Sequence, residues 1–213
     1  MALRILFIGN SFTQRNQLPR LVRQLAAAAE PAVDVEYKMI MAGGASLRRH
    51  WNGGVAQAAL AQEPYDFVVL QEQSTLPIKN AVRYHENVRL FDPLIAQHGA
   101  RMVLYLTWSR RHVPGAQAQL TKAAQDIAAQ TQARVVPVGI VWHEALARHP
   151  ELPLYADDGS HPTATGSYLA ACVFLVALLD RQPRDWSVSD ALKIDRATAA
   201  TLHALAWEAR ATQ

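Results

Sequence analysis

Apolar residues along this chain gather into short continuous runs, separated by stretches in which they recur every three or four positions. The runs cover 3–9 (LRILFIG), 33–41 (VDVEYKMIM), 65–71 (YDFVVLQ), 101–107 (RMVLYLT) and 133–141 (ARVVPVGIV). Four of them are nearly unbroken in hydrophobicity, as strands covered on both faces are. Helical spacing fills 18–29, 82–97 and 116–132, and two further helices are expected at about 164–179 and 195–211. Strands alternating with helices predict β-α-β units and a parallel sheet. With 213 residues, half of them hydrophobic, the chain is expected to form one domain over 1–213.

In an open parallel sheet, ligands bind beyond the carboxyl ends of the strands. The segments at those ends are GNSFT (9–13), AGGAS (42–46), QEQST (71–75), WSRRH (108–112) and WHEA (142–145). The first offers Ser11. A serine hydroxyl becomes a nucleophile only when a base takes its proton, and the base needs a group that sets its tautomer. His161, in the loop DDGSHPT, is the candidate base, with Asp158 three residues before it as orienter. It forms the only Asp-x-x-His pair in the chain. Asp157 is a second candidate acid, less well spaced. Gly43 and Gly44 permit a backbone N–H to approach a substrate without a Cβ in the way. Asn16 reads as the N-cap of the first long helix, with Pro19 in its first turn, which would set the positive end of that helix near Ser11.

Taken together, GNSFT near the start and DDGSHPTATGSYLAA near the end resemble the SGNH (GDSL-type) hydrolases, over most of the chain. The resemblance implies a flavodoxin-like three-layer α/β/α sandwich with a five-stranded parallel sheet. It implies Ser11 as nucleophile, His161 and Asp158 as its partners, and an oxyanion hole built from the N–H of Ser11 and of Gly44, with Gly43 as the alternative. Asn10 stands where the family has Asp. The family's Gly-x-Asn-Asp after the third strand is replaced by LQEQST, and alignment on the strand end sets Gln73 at the position of the oxyanion Asn. The implied reaction is hydrolysis of carboxylic esters through an acyl-enzyme on Ser11. Short acyl groups are expected, acetyl on a carbohydrate or another small molecule among them.

The remaining features narrow this picture. A net charge of +3 and a pI near 9.2 come without any run of five like charges, so no nucleic-acid partner is expected. The longest apolar stretch, 168–179, is too short to span a bilayer, and the N-terminal run lacks the pattern of a secretory signal. A cytoplasmic enzyme acting on a small-molecule ester, without membrane partner, is the expectation. The one cysteine, Cys172, lies in an apolar run and reads as a buried structural thiol. No cluster has metal-ligand spacing, so neither metal nor cofactor is expected. Asn10, Trp51, Trp108 and Trp142 are candidate walls of a substrate pocket, and Arg110 and Arg111 candidate rim charges. Of the other histidines, only His112 and His143 follow strands. The competing reading is a non-catalytic flavodoxin-like module whose first loop cradles a phosphate or nucleotide. The chain has neither G-x-G-x-x-G nor a P-loop pattern to support it, and no G-x-S-x-G for an α/β-hydrolase.

Overall fold

A computed structural model describes residues 2–212, so Met1 and Gln213, the ends of the expected span, lie outside the described residues. Strand β1 (Leu3–Gly9) leads into α1 (Ser11–Gln14) and α2 (Leu18–Ala27), and β2 (Val35–Met41) into α3 (Leu47–Gly53) and α4 (Val55–Gln62). Next come β3 (Phe67–Leu70), α5 (Leu76–Lys79) and α6 (Ala81–Gln97), then β4 (Arg101–Tyr105) and α7 (Gln117–Thr131). The chain closes with β5 (Arg134–Val136), α8 (Val138–Arg148), α9 (Ala164–Leu179), α10 (Ser187–Ala191) and α11 (Arg196–Glu208).

All strand pairs are parallel, in the order β2-β1-β3-β4-β5. Successive residues of a strand point to opposite faces, and β1 feeds two cores accordingly. Ile5 and Phe7 pack with residues of α2, α8, α9 and α11, whereas Leu6 and Ile8 pack with residues of α3, α4, α6 and α7. The result is a three-layer, flavodoxin-like α/β/α sandwich. Burying each large apolar side chain contributes about 1.5–3 kcal/mol, which explains why the central strands are unbroken runs of Val, Ile, Leu and Phe. Helix α9 is buried without interruption from Gly166 to Leu178, so it shows no polar face. Cys172 lies within it, fully buried, its thiol pushed well above the usual range by desolvation.

The fifth apolar run is not one strand. Only Arg134–Val136 pairs with β4, and α8 begins at Val138. Pro137 lacks the N–H a strand would need to continue and sits at the N-cap of α8, where no donor is missed. Gly139 permits the close approach that follows, because a Cβ there would stand 2.2 Å from the Thr107 carbonyl oxygen. Trp142 and His143 therefore lie on a helix rather than at a strand end.

Candidate active site

The sheet order reverses direction at β1: the chain leaves it for β2 on one side and returns to β3 on the other. The crevice between the carboxyl ends of β1 and β3 is the switch point at which such folds bind ligands. Residues 9–13 and 71–75 meet there. The Gln71 side chain crosses under β1, its Oε1 accepting from the Asn10 N–H (2.9 Å) and Thr13 Oγ1 (3.0 Å). Gly9 lies against it, and a Cβ on residue 9 would stand 2.6 Å from that oxygen. The Gly9 carbonyl in turn accepts from His50 Nε2–H at 2.7 Å. Burial holds His50 below its usual pKa of 6.5, although the bond to the Gly9 carbonyl pulls in the opposite direction.

Asn10 caps α1. Its Oδ1 accepts from the Phe12 N–H (3.2 Å) and its Nδ2 donates to the Ala45 carbonyl (3.0 Å). It thus ties the serine turn to the glycine loop. At 2% exposure it is a bracing residue and not a pocket wall. Ser11 opens α1, so its N–H is among the donors a helix leaves unpaired at its start.

Ser11 Oγ lies 2.8 Å from His161 Nε2, and His161 Nδ1 lies 2.5 Å from Asp158 Oδ2. Asp158 Oδ1 accepts from the N–H groups of Ser160 and His161, both at 2.9 Å. The bond to the imidazole, followed by those two amides, holds the Asp158 carboxyl far below the usual carboxylate range. An ionised Asp158 selects the Nδ1–H tautomer and leaves Nε2 free to accept from Ser11. Asp157 is exposed and outside this chain of bonds.

The loop bearing the imidazole is held from several sides. Trp108 Nε1 donates to the Ser160 carbonyl (2.9 Å) and the Arg111 N–H to the Gly159 carbonyl (2.9 Å). Arg111 Nη2 also reaches the Tyr155 carbonyl at 3.1 Å, with its guanidinium 5.2 Å over the Tyr155 ring. Arg111 is thus a clamp and not a free rim charge. Asn16 is not the N-cap of α2. That position belongs to Gln17, and Asn16, at φ 52°, instead donates to the Thr163 carbonyl (2.9 Å) and Ser167 Oγ (2.8 Å) at the start of α9. The turn bearing Ser11 and the loop bearing His161 are thereby stitched together. The N-terminus next to Ser11 is that of α1, separated from α2 by a left-handed kink.

Gly44 has φ +63°, nothing within 4 Å of where a Cβ would stand, and no protein acceptor for its N–H among the described residues. Gly43 is exposed beside it, without positive φ. Gln73 Oε1 accepts from the N–H (2.9 Å) and Oγ1 (3.0 Å) of Thr75, which leaves the amide NH2 without a protein partner among the described residues. Between these two loops lies Glu72, 5% exposed, which the sequence reading passed over. Its Oε1 accepts from the N–H of Leu47 (3.1 Å) and of Gln73 (2.6 Å), and its Oε2 from Asn87 Nδ2 (2.8 Å). Burial raises the Glu72 pKa despite these bonds.

The tryptophans are scaffolding. Trp108 and Trp142, 2% and 1% exposed, stack face to face with centroids 3.8 Å apart, and Trp51 packs edge-on against Phe91. A planar apolar ring is stabilised more by such burial than by exposure in a polar cleft. Trp142 and Tyr155 line a cavity of about 600 Å³ together with Ser109 and Arg111. His112 and His143 are exposed. Among the described residues no group of three or more His, Cys, Asp or Glu is placed to hold a metal ion, and no helix is long and apolar enough to cross a membrane.

A parallel three-layer sheet with a serine, histidine and aspartate converging at its switch point defines a serine hydrolase class. A protein of Slackia heliotrinireducens assigned to the SGNH hydrolases is 31% identical, matching 84% of this chain and 100% of its own at a TM-score of 0.73; this chain belongs to the SGNH hydrolase family. It is also similar to a DUF4886 family protein from Bacteroides uniformis, at 20% identity over 98% of this chain and 95% of that one, TM-score 0.72. The acetylxylan esterase Axe2 from Geobacillus stearothermophilus is 17% identical over 81% and 92% of the two chains, TM-score 0.66, a likeness of fold. No family model matches the chain, and no curated protein does.

Proposed function

We propose that this protein hydrolyses carboxylic esters with short acyl groups by way of an acyl-enzyme on Ser11. The observation that carries the reading is the Ser11–His161–Asp158 chain, with contacts of 2.8 and 2.5 Å joining residues 150 positions apart. Ser11 Oγ attacks the ester carbonyl carbon while His161 Nε2 takes its proton. The alcohol leaves with that proton. Water, deprotonated by the same imidazole, then releases the acid. Negative charge on the carbonyl oxygen is held by the N–H of Ser11 and of Gly44, and by the Gln73 amide, all donors without a protein acceptor among the described residues. Each donor of this kind is worth about 10²–10³ in rate. Acetyl groups on a carbohydrate or a similar small molecule are the substrates favoured by a cleft without a long apolar lid.

The phosphate-cradle reading is not supported. In the first loop the Asn10 N–H goes to Gln71, the Phe12 N–H to Asn10 Oδ1 and the Thr13 N–H to the Asn10 carbonyl. One free amide, that of Ser11, is too few to cradle a phosphate.

Labelling with a fluorophosphonate tests the reading. The parent is expected to form the adduct and Ser11→Ala to form none; a parent that stays unlabelled, or a variant that labels equally, refutes it. Within a p-nitrophenyl ester series, acetate is expected to be turned over faster than octanoate, and the reverse order removes the short-acyl assignment.

A further inference from the structure

The geometry points to an ester substrate that carries an anionic group, bound by Arg48 and Arg83 in the cavity beside Gln73. This inference rests on the esterase reading and names its substrate class. The cavity, of about 650 Å³, is lined by Leu76 and the polar residues Ser46, Arg48, Gln73, Arg83, Glu86 and Asn87. It adjoins the catalytic centre through two of those residues. Gln73 is a candidate oxyanion donor, and Ser46 lies two residues beyond Gly44 in the glycine loop.

Arg48 is held in place from beneath. Its Nε donates to Asn87 Oδ1 (3.1 Å), and the Asn87 Nδ2 is bound to the buried Glu72. Asn87 is itself fully buried, so one side chain fixes both the acid that braces the oxyanion loops and the guanidinium that faces the cavity. Among the described residues the terminal nitrogens of Arg48 make no hydrogen bond, and the nearest carboxylate, Glu86, lies 4.0 Å away with both side chains about half exposed. Such a pair is weak. The Arg83 guanidinium, on the first turn of α6, makes no hydrogen bond or ion pair among the described residues; only its backbone N–H is engaged, by the cap residue Asn80. Two guanidinium groups with most of their donors unpaired, and one carboxylate, leave the cavity with an excess positive charge. Planar N–H forks are the groups that bind carboxylates in a bidentate manner. A monocarboxylate on either the acyl or the alcohol side of the ester is the matching ligand.

The test compares p-nitrophenyl acetate with mono-p-nitrophenyl succinate, charged on the acyl side, and with 4-acetoxybenzoate, charged on the alcohol side. In Arg83→Met, and more so in Arg48→Met/Arg83→Met, kcat/KM for one of the two anionic esters is expected to fall at least tenfold further than that for the neutral ester. The substrate affected identifies the side of the ester that enters the cavity. Equal losses on all three esters, or none, overturn the proposal. If the parent hydrolyses no ester and takes no fluorophosphonate, the esterase reading fails by itself. The cavity assignment is then decided by calorimetric titration with monomethyl succinate, where binding weakened at least tenfold in the double variant supports it, and absent or unchanged binding overturns it.

Discussion

A methyl group on residue 9 would stand 2.6 Å from Gln71 Oε1, 2.9 Å from Thr13 Oγ1 and 3.0 Å from Gln71 Cβ. None of these atoms is free to move, since Gln71 is held at once by the Asn10 N–H and by Thr13. Gly9→Ala is therefore expected to cost about 1–3 kcal/mol or more, as overpacking does. Because Asn10 and Ser11 follow directly, it should also slow turnover; chemical denaturation and steady-state kinetics on one preparation check both. His161 is as sensitive to its partner. Asp158→Asn removes the carboxylate that selects the Nδ1–H tautomer of His161, and kcat is expected to fall by about 10³–10⁴ with the serine still in place. A loss below tenfold would show that the carboxylate has no such role.

At the scale of elements, the end of β1 depends on α3. His50 on α3 donates to the Gly9 carbonyl and is held below its ordinary pKa of 6.5 by burial. A folded-state pKa lower than the unfolded one means the unfolded chain takes up more protons as pH falls below about 6.5, so stability drops through that window. His203, buried against Tyr168, shifts in the same direction. His50→Gln is expected to flatten the fall in melting temperature between pH 7 and pH 5; an unchanged slope would assign it to other groups. Elements differ in how well the chain announces them. The first strand and α9 coincide with their apolar runs because both are buried all round and bounded by Gly9 and by Thr163 and Asp180. The run at 133–141 misleads, since a buried strand and a buried helix joined at Pro137 share one hydrophobic signature. Helices α3 and α4 leave no clear helical pattern in the sequence because each is about two turns long and they are split at Gly54, in the left-handed conformation. The serine, histidine and aspartate were readable from short-range motifs. The roles of Gln71, Glu72 and Asn16 were not, because most of the partners that set them lie 15 to 151 positions away. Three polar residues directly after a wholly apolar strand, QEQ at 71–73, were the one available sign.

For the molecule as a whole, one face of the sheet is covered by a helix with no polar side. α9 is shielded by α2, α8 and α11, and a Phe174 ring lies between Phe7 and Tyr105. A chain ending after residue 195 would lack α11 and expose a stripe of α9 that includes Tyr168, the partner of His203. Soluble monomers rarely expose a large contiguous apolar patch. The truncated chain is expected to bind 1-anilinonaphthalene-8-sulfonate and to melt without cooperativity; a sharp transition near that of the parent would show α11 to be dispensable.

The Asp158–His161 pair closes over three residues, whereas Ser11 and His161 are 150 apart in sequence. Local contacts form early in folding and distant ones only after the entropy of closing the intervening chain has been overcome. A nascent or partly folded chain can thus hold the imidazole–carboxylate pair while its serine stays chemically inert. Covalent capture by a fluorophosphonate would count only molecules that have completed a closure spanning 150 positions, so reactivity here doubles as a clock for the arrival of the native state.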